Sequence, residues 1–532
     1  MSALPVRADA GPKHYQQAEE DFGSLIDYLA SGEAREMTES DLERELQSRG
    51  RELLRKLLQG HLDSRSPGQT AGPVEGADGV VREEKRKQPR HLTTVFGKLA
   101  VQRTGYAHKG VESLHPLDAD LNLPPESYSL EVRRRVAEEA ARGSFDEAIK
   151  TLERYTGAKV PKRQTEELAV RAAVDFEAFY EKRHEASSAP SSSSLQVVTI
   201  DAKGVVMHKE DLRELTRQAA ERRRRKFQFL GHLTKGEKKH AKRMATVAAV
   251  YTVAPFVRTP EEFLRTLMRL EPTDAKQARL EAEKPSRPRP ENKRVWASVR
   301  KESWEVIEEA ILEAETRDPD HEKTWLAVVD GDEHQLAMVK EIASTYEVKL
   351  LPVLDIIHVA QYIWKAGHAF HKEGTPELEC WVLSRLRSVL EGKAEHVAAG
   401  IRRSATAQHL GSKKRKSVDD CTRYLLNHKS HMRYDEYLAA GYPIASGVIE
   451  GACRHLIRDR MELTGARWRL TGAEAVLRLR SLRSSGDFDD YWTFHEAREY
   501  ERNHAALYAR GKVPPVAVPP APLNRPSLKL VK

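Results

Sequence analysis

Cysteine is nearly absent from this 532-residue chain. The three present, Cys380, Cys421 and Cys453, stand more than thirty residues apart, which leaves neither a disulfide framework nor a CxxC zinc module. A reducing compartment fits. Long apolar runs are missing too: no window approaches the ~18 to 20 consecutive apolar residues that span a bilayer, and the opening MSALPVRADAGPKHYQQAEED holds no apolar signal core. These absences predict a soluble cytoplasmic protein with no membrane partner. Neither a GxxxxGKS/T phosphate loop nor a GxSxG elbow occurs, so a nucleotide-hydrolysing motor and an elbow-type serine hydrolase are excluded.

What is present is charge. Lys and Arg number 88 against 80 Asp and Glu, giving a net charge of +8 and a pI near 9.1, a balance that favours an anionic partner. The length calls for several domains. Residues 1–63 form an N-terminal segment with helical apolar spacing at Phe22, Leu25, Ile26 and Leu29. Residues 64–90, rich in Pro, Gly and Ser, read as a linker. Residues 91–186 hold a hairpin signal around Gly97 and Lys98, then two helical runs divided by TGAKVPKRQ. Ser144 can cap the first run and Thr156-Gly157 can end it. This is the pattern of a helix-turn-helix DNA reader, and equally that of an ordinary helical hairpin.

After the Ser-rich joint at 187–194 the pattern changes. LQVVTIDAKGVVM is an apolar β run interrupted by Asp201, and TWLAVVDGDEHQ and KLLPVLDIIH place Asp330 and Asp355 at the ends of theirs. Such runs between helical stretches predict an α/β sheet covered on both faces, with ligands gathered at strand ends. Between the first two aspartates, residues 209–243 carry thirteen Lys or Arg against five acids. The run Arg222, Arg223, Arg224, Arg225, Lys226 is either a solvated face or a surface that tracks phosphates. Residues 372–440 are helical or polar, and the tail from 513 is Pro-rich.

The chemical inventory is acidic. Two aspartates at strand ends and a third carboxylate from a helix would bind one or two hard divalent cations, although most strand-end aspartates are turn or cap residues. The stretch YPIASGVIEGACRHLIRDRMELTGARW supplies the third. In a helix begun near Ser446, Glu450, Arg454 and Arg458 share a face, flanked by apolar Ile444, Val448, Ile449, Ala452 and Leu456.

These motifs, with HPLDADLNLPPESYS, ARGSFDEAIKTLERYTG, LDIIHVAQYIWKAGHAFH and AEAVLRLRSLRSSGDFDDYW, resemble bacterial insertion-sequence transposases of the ISKra family, relatives of the Mutator-like group. The resemblance covers most of the chain. It implies an RNase H-like core with a helical insertion, preceded by a mostly helical DNA-binding region. The core would run over 195–371 and 441–512, split by the insertion at 372–440. Asp201, Asp330 and Glu450 match the DDE acids, which hold Mg²⁺ or Mn²⁺, two ions in all. Asp355 and His358 match a DxxH element, either a support for the site or a DNA-positioning device, with Asp355 the fallback second ligand. Arg454, Arg458 and Arg460 would hold the DNA backbone. His455 and Trp468 are weaker contacts, Trp468 being better read as core. The implied enzyme is a DDE-type transposase that binds double-stranded transposon ends and target DNA as a homo-oligomer at the bacterial nucleoid, cleaving and joining strands. Two rivals keep parts of the pattern: an RNase H-like nuclease without strand transfer, and a DNA-binding regulator whose acids are structural.

Overall fold

The computed structural model describes residues 13–185, 194–226, 241–268, 286–463 and 465–517. The Ser-rich joint and most of the Pro-rich tail lie outside these. The chain forms two units, Met1–Phe179 with Asp489–Lys532, and Tyr180–Phe488.

The first unit begins with helices Gln16–Ala30 and Glu39–Ser64. The next stretch departs from the expected linker: Val74–Glu75 pairs with Val81–Arg82, and Glu84–Lys87 pairs with Thr104–His108. Strands of two to five residues are too short to show a period, yet Val74 and Tyr106 are buried with Leu114 and Tyr508. The hairpin signal is realised as Arg90–Thr94 against Gly97–Val101. Helices Leu130–Arg142, Phe145–Thr156 and Lys162–Ala172 then close around Val132, Val136, Leu152, Val160 and Leu168. Ser144 and Glu147 form a capping box at the middle helix, and Gly157 ends it at a φ of 70°, a left-handed conformation natural to glycine. Residues 441–512 were expected to form one piece of core, but from Asp489 onward the chain belongs to this first unit. The reason lies in buried polar pairing: His495 Nδ1 stands 2.7 Å from Asp175 Oδ2, and Arg133 Nη1 donates to Glu499 Oε2 at 2.5 Å.

The second unit is mixed α/β. Its sheet has five strands, β1 (Leu195–Val206), β2 (Lys242–Val253), β3 (Glu291–Ser298), β4 (Thr324–Val329) and β5 (Leu350–Leu354), in the spatial order β3-β2-β1-β4-β5. The first three run antiparallel, while β4 and β5 run parallel to β1. Val197, Val198, Val247, Ala249, Leu326 and Val328 are all buried, which explains why these strands read as continuous apolar runs rather than alternating ones. The expected insertion is helical: Pro376–Leu390, Ala394–Ala407, Ser412–Asn427 and Tyr434–Ala439 share one hydrophobic cluster with β4, β5 and helix Ile356–Gly367. No described helix is long and apolar enough to cross a membrane.

One buried ion cluster anchors the antiparallel side. Glu313, on helix Ser303–Glu315, meets Arg294, Arg317 Nε at 2.9 Å and His184 Nε2 at 2.7 Å. Burial alone would raise its pKa, but the Arg294 charge leads a set of partners that hold it well below the usual carboxylate range. A depressed pKa adds stability that is present above the ordinary carboxylate value and lost as pH falls below it. Glu313→Ala, which leaves two buried guanidiniums unpaired, is expected to cost about 3–5 kcal/mol and to flatten the acid limb of the stability curve. Thermal denaturation between neutral and acidic pH measures both effects.

Candidate active site

The parallel register sets the acids side by side. Val328 of β4 pairs with Thr199 of β1, and Val329 pairs with Leu354 of β5. Continuing that register puts Asp330 beside Asp201 on one side and Asp355 on the other. Asp201 does not end its strand, as the sequence suggested. Antiparallel pairing with β2 carries β1 on to Val206, so Asp201 sits where β4 stops and β1 goes on. Asp330 opens a tight loop: its Oδ1 accepts from the Asp332 amide at 2.9 Å, and Gly331 adopts a φ of 89°. A Cβ on Gly331 would stand 2.9 Å from the Tyr424 hydroxyl, so the loop needs glycine on two counts. That hydroxyl donates to the Asp330 carbonyl at 2.7 Å.

Asp355 is fully buried. It caps helix Ile356–Gly367, accepting from the Ile357 amide at 2.9 Å, and its other oxygen accepts from the Ser446 hydroxyl. Ser446 in turn starts helix Gly447–Ala452, and its carbonyl accepts from the Glu450 amide at 3.0 Å. Two hydrogen bonds thus link the end of β5 to the glutamate. Burial pushes the Asp355 carboxyl up, opposed by the Ser446 and Ile357 bonds and by His358. Partial desolvation pushes Glu450 up as well, followed by the charges of Asp355 and Asp201, with His358 and Lys203 pulling the other way. Glu450 is at once solvent-exposed and close enough to feel two other acids.

A thiol joins the group. Cys453 Sγ donates to Asp201 Oδ2 at 3.1 Å, while Asp201 Oδ1 accepts from the Ala202 amide at 2.6 Å. Burial and then Asp201 push the thiol far up, so it remains a donor. Cys453 also begins a π-helical turn, Cys453–Arg458. Its i→i+5 bonding widens the helix over these six residues. Arg454, Arg458 and His455 are exposed. Arg460 corrects the sequence reading: it is buried at 3% exposure with its guanidinium 4.7 Å from the Trp468 ring centre, and a side chain packed that way is unavailable to a phosphate. Trp468 is core, as expected, and its Nε1 donates to the Met461 carbonyl at 3.1 Å. Of the basic run, Arg222 is exposed near the end of helix Glu214–Lys226, and the side chains of Arg223, Arg224, Arg225 and Lys226 lie outside the described residues.

No protein-family model matches this chain, and no curated protein matches it. Asp201, Asp330 and Glu450 offer oxygen ligands only, the set a hard cation such as Mg²⁺ takes, and the upward pressure on Glu450 from neighbouring acids is what a cation would relieve. Their oxygens do not close to within 4.8 Å of one another. Among the described residues, the trio that does is Asp175, His495 and Glu499. That trio is filled by guanidinium charge: Arg502 Nη2 lies 2.5 Å from Asp175, and Arg133 Nη1 lies 2.5 Å from Glu499. A divalent ion there would meet the buried Arg133 guanidinium and the exposed Arg502 guanidinium, so the trio is an ion-pair network.

Sequence reasoning missed Lys203, Cys453 and Tyr424. Lys203 lies two residues from Asp201 on a strand, and Cys453 three residues from Glu450 on a helix, spacings that could have pointed to both. Nothing local marked Tyr424. If the acids hold a cation, saturating Mg²⁺ or Mn²⁺ stabilises the wild type by about 2.7 kcal/mol at a hundredfold excess over Kd, and Glu450→Gln removes most of that gain. Because Glu450 is shifted up, protons compete early: the cation-dependent gain fades as pH falls toward that raised value, above where an ordinary glutamate would lose it. Thermal shift against cation concentration at several pH values measures this.

Proposed function

We propose that the protein is a DNA transposase whose Asp201, Asp330 and Glu450 hold divalent cations for phosphoryl transfer on DNA. The observation that carries this reading is the placement of the acids. Asp201 on β1 and Asp330, one residue past the end of β4, fall opposite one another when the parallel register is continued, and a glutamate on a returning helix lies within electrostatic reach of the first. The strand order β3-β2-β1-β4-β5, with only β2 antiparallel to β1 among its neighbours, supports an RNase H-like core. The helical segment between Asp355 and Glu450 supports an inserted subdomain.

In this reading each residue has a task. Asp201 and Asp330 present oxygens from the sheet, and Glu450 presents its own from the helix. Asp355 acts as the support that the DxxH pattern left open, since both its oxygens are committed to capping and to Ser446. His358 and Lys203 moderate the negative potential. Arg454 and Arg458, both exposed, are placed to meet phosphates. The bound cations supply activation of the attacking oxygen and neutralisation of the leaving one. Water attacks at the transposon end, and the released 3′ hydroxyl then attacks target DNA. The three-helix cluster over residues 130–172 is the candidate reader of double-stranded ends, and pairing two ends calls for a homo-oligomer at the nucleoid.

Incubation with Mg²⁺ and a labelled duplex carrying the inverted-repeat end tests the proposal. The expected result is cleavage and strand joining by wild type, with Asp201→Asn and Glu450→Gln binding DNA but losing at least about a hundredfold in rate. Cleavage without joining would favour the nuclease. Tight binding with no cleavage by wild type would favour the regulator, and equal rates in the variants would discard the triad.

A further inference from the structure

Helix Ser412–Asn427 is built against its own local interest. Its first turn carries Lys413, Lys414 and Arg415 and no acid, and its N-cap, Gly411, offers no side-chain bond. Cations at a helix amino terminus oppose the macrodipole. The same end gathers more positive charge: Arg415 Nη1 donates to Thr406 Oγ1 at 3.0 Å, in the last turn of Ala394–Ala407, and Arg402 and Arg403 are exposed on the turn before it. Arg415 and Lys416 pair with Asp419 and Asp420. Arg403, Lys413 and Lys414 have no carboxylate partner among the described residues. The other end of this helix touches the acids through Tyr424 and the Asp330 carbonyl.

We infer that the tip of this hairpin is a phosphate-binding surface for duplex DNA, positioned about five base pairs from the phosphate that reacts at the acids. The inference rests on the transposase reading for the location of that phosphate. Lys413 and Tyr424 are eleven residues apart on one rigid helix, an axial rise of about 16 Å at ~1.5 Å per residue, and a duplex advances ~3.4 Å per base pair. A duplex following that helix away from Asp330 reaches the unpaired lysines within half a helical turn. The energetic logic is that of any phosphate contact: each lysine releases a condensed counterion, which gives a reason for keeping cations where the helix itself disfavours them.

The test compares wild type with Lys413→Gln/Lys414→Gln, using anisotropy of a labelled end duplex in chelator over a range of salt. Loss of two phosphate contacts lowers the slope of log K against log salt by about two, and neutral methylphosphonate linkages four to six positions from the cleavage point weaken the wild type but not the variant. The variant's melting temperature should not fall, because the removed charges opposed the helix dipole, so weaker binding cannot be ascribed to misfolding. An unchanged slope, or methylphosphonate sensitivity that persists in the variant, overturns the assignment. The binding readout involves no cation and no chemistry. A reduced slope in a protein that never cleaves with Mg²⁺ would overturn the catalytic reading and not this surface, whereas cleavage with an unchanged slope would do the reverse.

Discussion

The Asp355 carboxylate is the constraint on which the site depends. It lies at the end of β5 with no exposure to water, and both oxygens are spoken for, one by the amide of the helix it caps and one by Ser446. A buried carboxylate is tolerated only when its hydrogen bonds are made. The sheet edge, helix Ile356–Gly367 and the turn that delivers Glu450 must therefore form together. The Ile356 amide reinforces the arrangement by donating to the Ile444 carbonyl at 3.0 Å. Glu450 is thus fixed through a polar relay although it stands near solvent itself.

The helices between Pro376 and Ala439 are tied into this arrangement by two tyrosines. Tyr424 donates to the Asp330 carbonyl at 2.7 Å, and Tyr434 donates to the Leu354 carbonyl at 2.8 Å. Each hydroxyl satisfies a carbonyl at the carboxyl end of a strand, where the ladder has stopped and the backbone would otherwise lack a partner. The helices between the second and third acids therefore brace the loop that carries Asp330. On the far side of Glu450, the π-turn brings the Cys453 thiol to Asp201, and Trp468 bridges to Met207 at the end of β1. The glutamate is flanked by tethers to three strands.

Much of this was legible in the sequence because its causes are local or periodic. The apolar runs of β1, β4 and β5 declare a sheet covered on both faces. Ser144 and Gly157 mark a helix by capping chemistry, and SGVIEGA marks another by its spacing. The rest depended on contacts between distant residues. The two-residue strand at Val74 is held by Tyr106 and Tyr508, which no local pattern reveals. Arg460 looks like its exposed neighbours in sequence until the ring of Trp468 covers it. Asp201 interrupts an apolar run and so reads as a strand end, whereas the strand continues to Val206 through pairing with β2. The π-helical turn at Cys453 has no signature in propensity at all.

The central claim is that Asp201, Asp330 and Glu450, and not the more tightly clustered Asp175, His495 and Glu499, bind the working cations. Anomalous scattering from Mn²⁺ in crystals of the protein bound to end DNA tests it most directly. The account predicts density between the sheet acids and Glu450, with the Cys453 thiol outside the coordination sphere and the Arg133 and Arg502 ion pairs intact. Density at His495, or none near Glu450 under conditions where DNA is cleaved, would contradict it.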